Sequence, residues 1–238
     1  MYTIAILVPV CSRGYTYTSI DETPFFKHVY PSFLATREDG YEYTFFIGFD
    51  DDDQFYTKHA DGFHHVTSNV YTLEGCQHAP ARAWNKLAEH AYASDKHYDY
   101  LFQVGDDVTL LKPGWTSRFI RKLEAHSNIG VVGPCFLPNY YARVRNGKPP
   151  VIENSFVHRT HMDIFGYYFY PEILNWFCDD WITRIYCPFF SEIQVDIDCQ
   201  NTIVDVRYAI RQCKEIDTYV KEGIQRILSY IDRTSTNG

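Results

Sequence analysis

No CxxC pair occurs in this chain, and its 7 cysteines are scattered and odd in number. That excludes a zinc knuckle and a secreted disulfide framework, and it suits a reducing compartment. Runs of Lys or Arg are also missing, and the formal net charge is −8. A general nucleic-acid surface needs a basic patch, so nucleic acid is not an expected partner. An anionic substrate would need local help from a metal ion, a few placed Arg residues or backbone amides. No apolar stretch approaches the ~20 residues of a membrane-spanning helix. The opening MYTIAILVPVCSRG lacks a basic start and has only a short apolar run. It reads as a strand rather than a signal peptide, and the protein as soluble and cytoplasmic. With no internal repeat, low-complexity tract or linker, the 238 residues read as one domain.

What is present is a core-sized share of hydrophobic residues, 45%, and an unusually high aromatic content of 17%. Such aromatics serve a core, and they also serve as platforms for flat or ring-shaped ligands. IAILVPV (4–10) and YTFFIGF (43–49) are continuous apolar runs, as expected for strands covered on both faces. HHVTSNVY (64–71), YDYLFQV (98–104) and IGVVGPCFL (129–137) read as further strands. Residues 24–36 suit a helix that Pro31 kinks or breaks. PARAWNKLAEHAYA (80–93) is the clearest helix, with Pro80 at its start and Trp84, Leu87, Ala88 and Ala91 at helical spacing. GWTSRFIRKLEAH (114–126) and about 211–231 read as helices too. NYYARVRNGKPPV (139–151) reads as a basic loop or hairpin turning at Asn146-Gly147. Residues 187–209 have mixed strand character. Strands alternating with helices predict an α/β fold with a mostly parallel sheet flanked by helices.

Ligands in such sheets bind beyond the carboxyl ends of the strands. Three polar loops belong there: PVCSRG, FDDDD and VGDDV. In YDYLFQVGDDVTLLKPGW an apolar strand runs directly into Asp106 and Asp107, two carboxylates that repel unless a cation lies between them. Mg2+ and Mn2+ prefer oxygen ligands, and Mg2+ commonly takes one or two carboxylates plus substrate phosphates. A metal held there would also bring a diphosphate to an acidic protein. The pair equally reads as an Asp-rich turn before Pro113-Gly114. The run Asp50 to Asp53 lacks the alternating ligands, Gly and terminal Glu of an EF-hand.

Taken in order, ILVPVCSRG, FIGFDDDD, ARAWNKLAEHA, LFQVGDDVTLLKPGW and FCDDWITRIY resemble the glycosyltransferases of the GT-A fold, over roughly residues 4 to 186. The resemblance implies a single Rossmann-like domain with a C-terminal helix. Its nucleotide-sugar half would be about 1–110 and its acceptor half about 111–210, with a helix and tail at 211–238. It further implies that Pro9 and Arg13 lie along the base or phosphates and that Asp50, with Asp53 as a further candidate, meets the nucleoside. Arg82 and Asn85, one turn apart on their helix, would approach phosphate or ribose. Asp106 would take the metal position, Mn2+ or Mg2+, with Asp107 in support.

This chain departs from the family pattern in two places. Val104-Gly105-Asp106-Asp107 stands where Asp-x-Asp-Asp is common, so the first carboxylate is absent. The late His that many relatives give the metal is absent as well; His158 and His161 would reach the site only if their segment folds back, and otherwise read as structural or acceptor-side residues. Matching DDWI to the family's Glu-Asp pair makes Asp180 the base and Asp179 its support, although Asp at a helix start also serves as a cap. Trp176, Trp181 and GYYFY (166–170) would form an acceptor platform, and Gly166 would leave backbone room for the acceptor. Arg143, Arg145 and Lys148 would belong to a mobile flap or a plain solvated loop.

The reaction implied is inverting transfer from a nucleoside-diphosphate sugar, UDP-sugar favoured, to a glycan or glycoprotein hydroxyl. Besides a metal-dependent hydrolase using the Asp clusters, to which no His-Asp ligand set points, two alternatives stand beside it. One is a non-catalytic nucleotide- or sugar-binding module of the same fold. The other is a sugar-phosphate nucleotidyltransferase, although PVCSRGYT offers one Gly and no Gly-rich phosphate loop.

Overall fold

The apolar run near the start of the chain forms β1 (Tyr2–Val10), in which Ile4 to Val8 are all buried. Ile4, Ile6 and Val8 enter one core, and Ala5 and Leu7 enter the other. This is the period-two geometry of a strand covered on both faces. The computed structural model of the protein describes residues 1–202 and 211–236.

A π-helical turn, Phe25–Val29, leads directly into α1 (Tyr30–Thr36). Of the kink or break expected at Pro31, the break does not occur, and the π turn is the local distortion. Pro31 sits in the first turn of α1, and the wide turn before it absorbs the ring and the missing donor. Next come β2 (Tyr41–Asp50), α2 (Gln54–His59) and β3 (Val70–Leu73). The strand expected over 64–71 starts only at Val70, because a 3-10 turn, Ala60–Phe63, buries Phe63 first. α3 (Pro80–Ala93) falls on the expected residues. β4 (Tyr100–Gln103) and β5 (Val108–Leu110) flank the Asp106-Asp107 turn, and α4 (Trp115–Glu124) and β6 (Val131–Cys135) follow.

The segment read as a loop or hairpin is instead α5 (Leu137–Arg145). Pro138 sits in its first turn, and the turn at Asn146-Gly147 ends it, with Gly147 at φ 65. β7 (Phe156–His158), α6 (Thr160–Phe165), α7 (Cys178–Tyr186), β8 (Ser191–Asn201) and α8 (Ile216–Ser235) complete the described chain. Residues 203–209 of the strand-rich stretch lie outside the described residues. Among the described residues, no helix is long and apolar enough to cross a membrane.

The result is a single α/β domain around an eight-stranded sheet of order β3-β2-β1-β4-β7-β6-β8-β5. β1–β2, β2–β3, β1–β4 and β6–β8 run parallel, whereas β4–β7, β6–β7 and β5–β8 are antiparallel. One face is covered by α3, α6, α7 and α8, the other by α1 and α4. From β1 the chain winds outward through β2 and β3, then returns to place β4 on the other side of β1. That reversal opens a crevice at the carboxyl ends of β1 and β4, where α/β sheets take their ligands.

Gly133 in β6 fixes one wall of this crevice. A Cβ there would lie 2.3 Å from the Asn154 carbonyl oxygen and 2.5 Å from Ile152 Cγ2. The bare backbone lets the 152–154 segment lie against the sheet, with Glu153 turned to the cleft. Gly133→Ala is therefore expected to destabilise the protein by about 1–3 kcal/mol or more through overpacking. Urea unfolding measures this, and an unchanged midpoint would show that the segment is free to move aside.

Candidate active site

A cleft of ≈ 450 Å³ opens at the reversal. β1 contributes Pro9 and the loop carrying Arg13, and β2 ends at Asp50; all three residues line the cleft. Arg13 Nη2 lies 3.2 Å from both Asp50 Oδ2 and Asp52 Oδ1. Burial pushes the Asp50 carboxyl up, and Arg13 opposes that shift. Asp53 does not reach the cleft. It is buried, accepts from Ser12 N (2.8 Å) and Ser12 Oγ (2.7 Å), and caps α2 by accepting from Tyr56 N. Its part is to tie the β1 loop to the β2 loop.

The middle of the cleft is the turn after β4. Asp106 is only 2% exposed, and its Oδ2 accepts the Cys11 amide at 3.3 Å. Asp107 is half-buried, and its carbonyl accepts from Thr202 N at 3.1 Å. Val104, at the position of the missing first carboxylate, is core. Its amide donates to Leu7 O, and its carbonyl accepts from Trp84 Nε1 at 3.3 Å. Among the described residues, no three His, Cys, Asp or Glu side chains form a metal cage. The donor set fits a different kind of site. Two hard carboxylates facing a cleft suit a cation that completes its shell with phosphate oxygens and water.

The far wall is the start of α7. Phe177, at φ 78, turns the backbone into the helix from the left-handed region, which is strained for an aromatic residue. The helix has no side-chain cap, so Asp179 and Asp180 do not owe their place to capping. Both line the cleft. Burial pushes the Asp179 carboxyl up, and the Cys178 thiol donates to its Oδ1 at 3.0 Å. Arg143 Nη2 pairs with Asp180 Oδ1 at 2.8 Å. Trp176, 45% exposed, stands at the cleft.

Several expected contacts lie elsewhere. Arg82 is exposed and donates to the Gly75 carbonyl at 2.9 Å, outside the cleft. Asn85 is held against the chain, accepting from Tyr168 N and Phe169 N and donating to Phe169 O. Trp181 is fully buried, with Nε1 on Tyr219 O, so it is core rather than platform. Gly166 caps α6 at φ 74 and does not line the cleft; its freedom serves the turn. His158 bonds to Thr160, and buried His161 bridges Tyr186 Oη and Tyr168 O, both structural arrangements. Arg145 folds back onto the Tyr141 carbonyl.

Glu153, Asn139, Asn201 and Trp84 are cleft residues that sequence reasoning missed. Glu153 receives Asn139 Nδ2 on Oε1 and Asn201 Nδ2, at 3.1 Å, on Oε2. Burial pushes its carboxyl up to about 7, with Asp179 adding to the rise and Arg143 opposing it. A raised carboxyl makes its stabilising contribution below its unfolded value of 4.5 and loses it as pH climbs through about 7. Glu153→Gln removes that dependence. Its stability relative to wild type is expected to improve between pH 5 and pH 8, by up to ~3 kcal/mol. Tm against pH reads this, and a constant offset between the two proteins would contradict it.

No family model matches the chain, and no curated protein matches it in sequence. Solved structures do match. S. aureus TarS 1-349 aligns over 79% of this chain and 57% of its own, at 11% identity and TM-score 0.50. The same protein in complex with UDP aligns over 94% of this chain and 65% of its own, at 10% identity and TM-score 0.55. The chain thus spans less than two thirds of TarS 1-349. The mannosyltransferase PcManGT from Pyrobaculum calidifontis, in complex with GDP-Man and Mn2+, aligns over 99% of this chain and 75% of its own, at 12% identity and TM-score 0.55. At such identities the likeness is one of fold: this chain shares the fold of TarS and of a mannosyltransferase.

Proposed function

We propose that this protein is a glycosyltransferase. It moves a sugar from a nucleoside-diphosphate sugar, with UDP-sugars favoured, to a hydroxyl of a glycan or glycoprotein acceptor, with inversion. The observation that carries this reading is the convergence of four sequence motifs in one cleft. Pro9, Arg13 and Asp50 come from the first two strands, Asp106 and Asp107 from the turn after β4, and Asp179 and Asp180 from the start of α7. Two solved proteins of the same fold were captured with UDP and with GDP-Man and Mn2+, which supports a nucleotide-linked donor. The amino-terminal half, to about residue 110, holds the donor, and residues from about 111 to 210 shape the acceptor side.

Pro9 and Asp50 take the nucleoside, and Arg13 adds charge-assisted hydrogen bonds to the phosphates. Asp106 and Asp107 hold Mn2+ or Mg2+, which when bound neutralises charge on the leaving diphosphate. Asp180 takes the acceptor hydroxyl proton as that oxygen attacks the anomeric carbon and the diphosphate departs from the opposite face. A positioned base contributes about 10²–10⁴-fold. Asp179, its carboxyl pushed up by burial, stands beside Asp180 in support. Trp176 offers its exposed face to the acceptor ring.

Core Val104 in place of the first carboxylate favours one second reading, a non-catalytic nucleotide-sugar-binding module. A panel of nucleotide sugars with Mn2+, scored by nucleotide release and by thermal shift, separates the two. The enzyme is expected to release nucleotide slowly even without acceptor and faster with one. Mn2+-dependent stabilisation by UDP without any turnover would favour the module, and no response to any nucleotide would reject both.

A further inference from the structure

α5 carries none of its residues in the core, and its outer face shows Tyr141 (55% exposed) and Val144 (49%) to solvent. A helix this short has little stability of its own, so its position depends on its attachments. Two of these come from side chains one turn apart on the inner face. Asn139 donates to Glu153, and Arg143 pairs with Asp180 at 2.8 Å. Arg143 is held at a second edge, because its Nε donates to the Pro149 carbonyl at 2.7 Å. The guanidinium therefore meets Asp180 from a fixed direction rather than as a loose surface charge. It engages Oδ1, which turns Oδ2 into the oxygen that would receive a proton.

We infer that Arg143 is the positioning residue for Asp180, and that α5, clamped at Glu153 and Asp180, is the wall that orients the acceptor. This rests on the glycosyltransferase reading and deepens it. The ion pair holds the carboxylate aimed. Asn139 and Glu153 hold the helix at the distance where the pair forms. Lys cannot substitute fully, since it carries the charge without the planar fork that bonds Pro149 and Asp180 together.

The test uses the whole protein with a donor that it turns over, comparing wild type, Arg143→Ala, Arg143→Lys and Asn139→Ala. Misplacing a reacting group by about 1 Å can cost ~100-fold, so Arg143→Ala is expected to lower transfer kcat by roughly 10- to 100-fold. Its donor KM and Tm should stay near wild type, because α5 contributes nothing to the core. Arg143→Lys should recover part of kcat, and Asn139→Ala should act mainly by raising the acceptor KM. A wild type that turns over while Arg143→Ala keeps its kcat would overturn this inference alone. The same holds if Arg143→Ala loses donor binding and kcat together, with no rescue by Lys. A wild type that turns over no donor would overturn the glycosyltransferase reading and this inference with it.

Discussion

Asp180→Asn is expected to abolish sugar transfer while leaving donor affinity nearly intact. The substitution keeps the shape of the side chain and one oxygen to accept from Arg143 Nη2, so the α5 contact survives. What it removes is the capacity to take a proton. If Asp180 is the base, transfer falls by about 10²–10⁴-fold, the range a positioned general base contributes. Nucleotide binding should not follow, because Pro9 and Asp50 lie at the ends of β1 and β2 and Arg13 in the loop after β1, not on α7. Steady-state kinetics with varied donor and acceptor separate the two effects. Retained turnover would remove Asp180 from the role and pass it to Asp179, which burial already inclines to hold protons.

The second large effect belongs to Asp106. Asp106→Asn keeps an oxygen for the Cys11 amide, so the β1 loop need not move. A bound divalent cation is worth several kcal/mol of charge stabilisation, so Mn2+-dependent UDP affinity should fall on the order of 100-fold. Asp106→Ala loses the Cys11 contact as well and should be weaker still. Calorimetric titration of UDP with and without Mn2+ reads both variants. Binding equal to wild type in Asp106→Asn would take this carboxylate out of the metal site.

The parts of the fold legible in the sequence were those whose neighbours lie close in the chain or whose pattern is unbroken. β1, β2 and α3 stand where continuous apolar runs and helical spacing put them. β5 and β7, of three residues each, were invisible because their pairing partners lie far away in sequence. α5 reads as a loop or hairpin in the sequence because its burial is slight and its polar contacts are long-range. The cleft followed the same rule. Asp50, Asp106 and Asp180 sit beside strong local signals, a strand end or a helix start. Trp181 and Asn85 carried equally suggestive chemistry, yet tertiary packing spends one on the core and the other on the 168–169 backbone. Glu153 had no local signal beyond a carboxylate next to apolar Val151 and Ile152. Its place depends on Gly133, a strand away.

Anomalous diffraction at the manganese edge, from crystals soaked with Mn2+ and UDP, tests the central claim most directly. The expected result is a manganese peak within bonding distance of the Asp106 or Asp107 carboxylates, with diphosphate oxygens completing its shell and the nucleoside toward Asp50. UDP bound elsewhere, or the cleft filled only with water at saturating ligand, would contradict it.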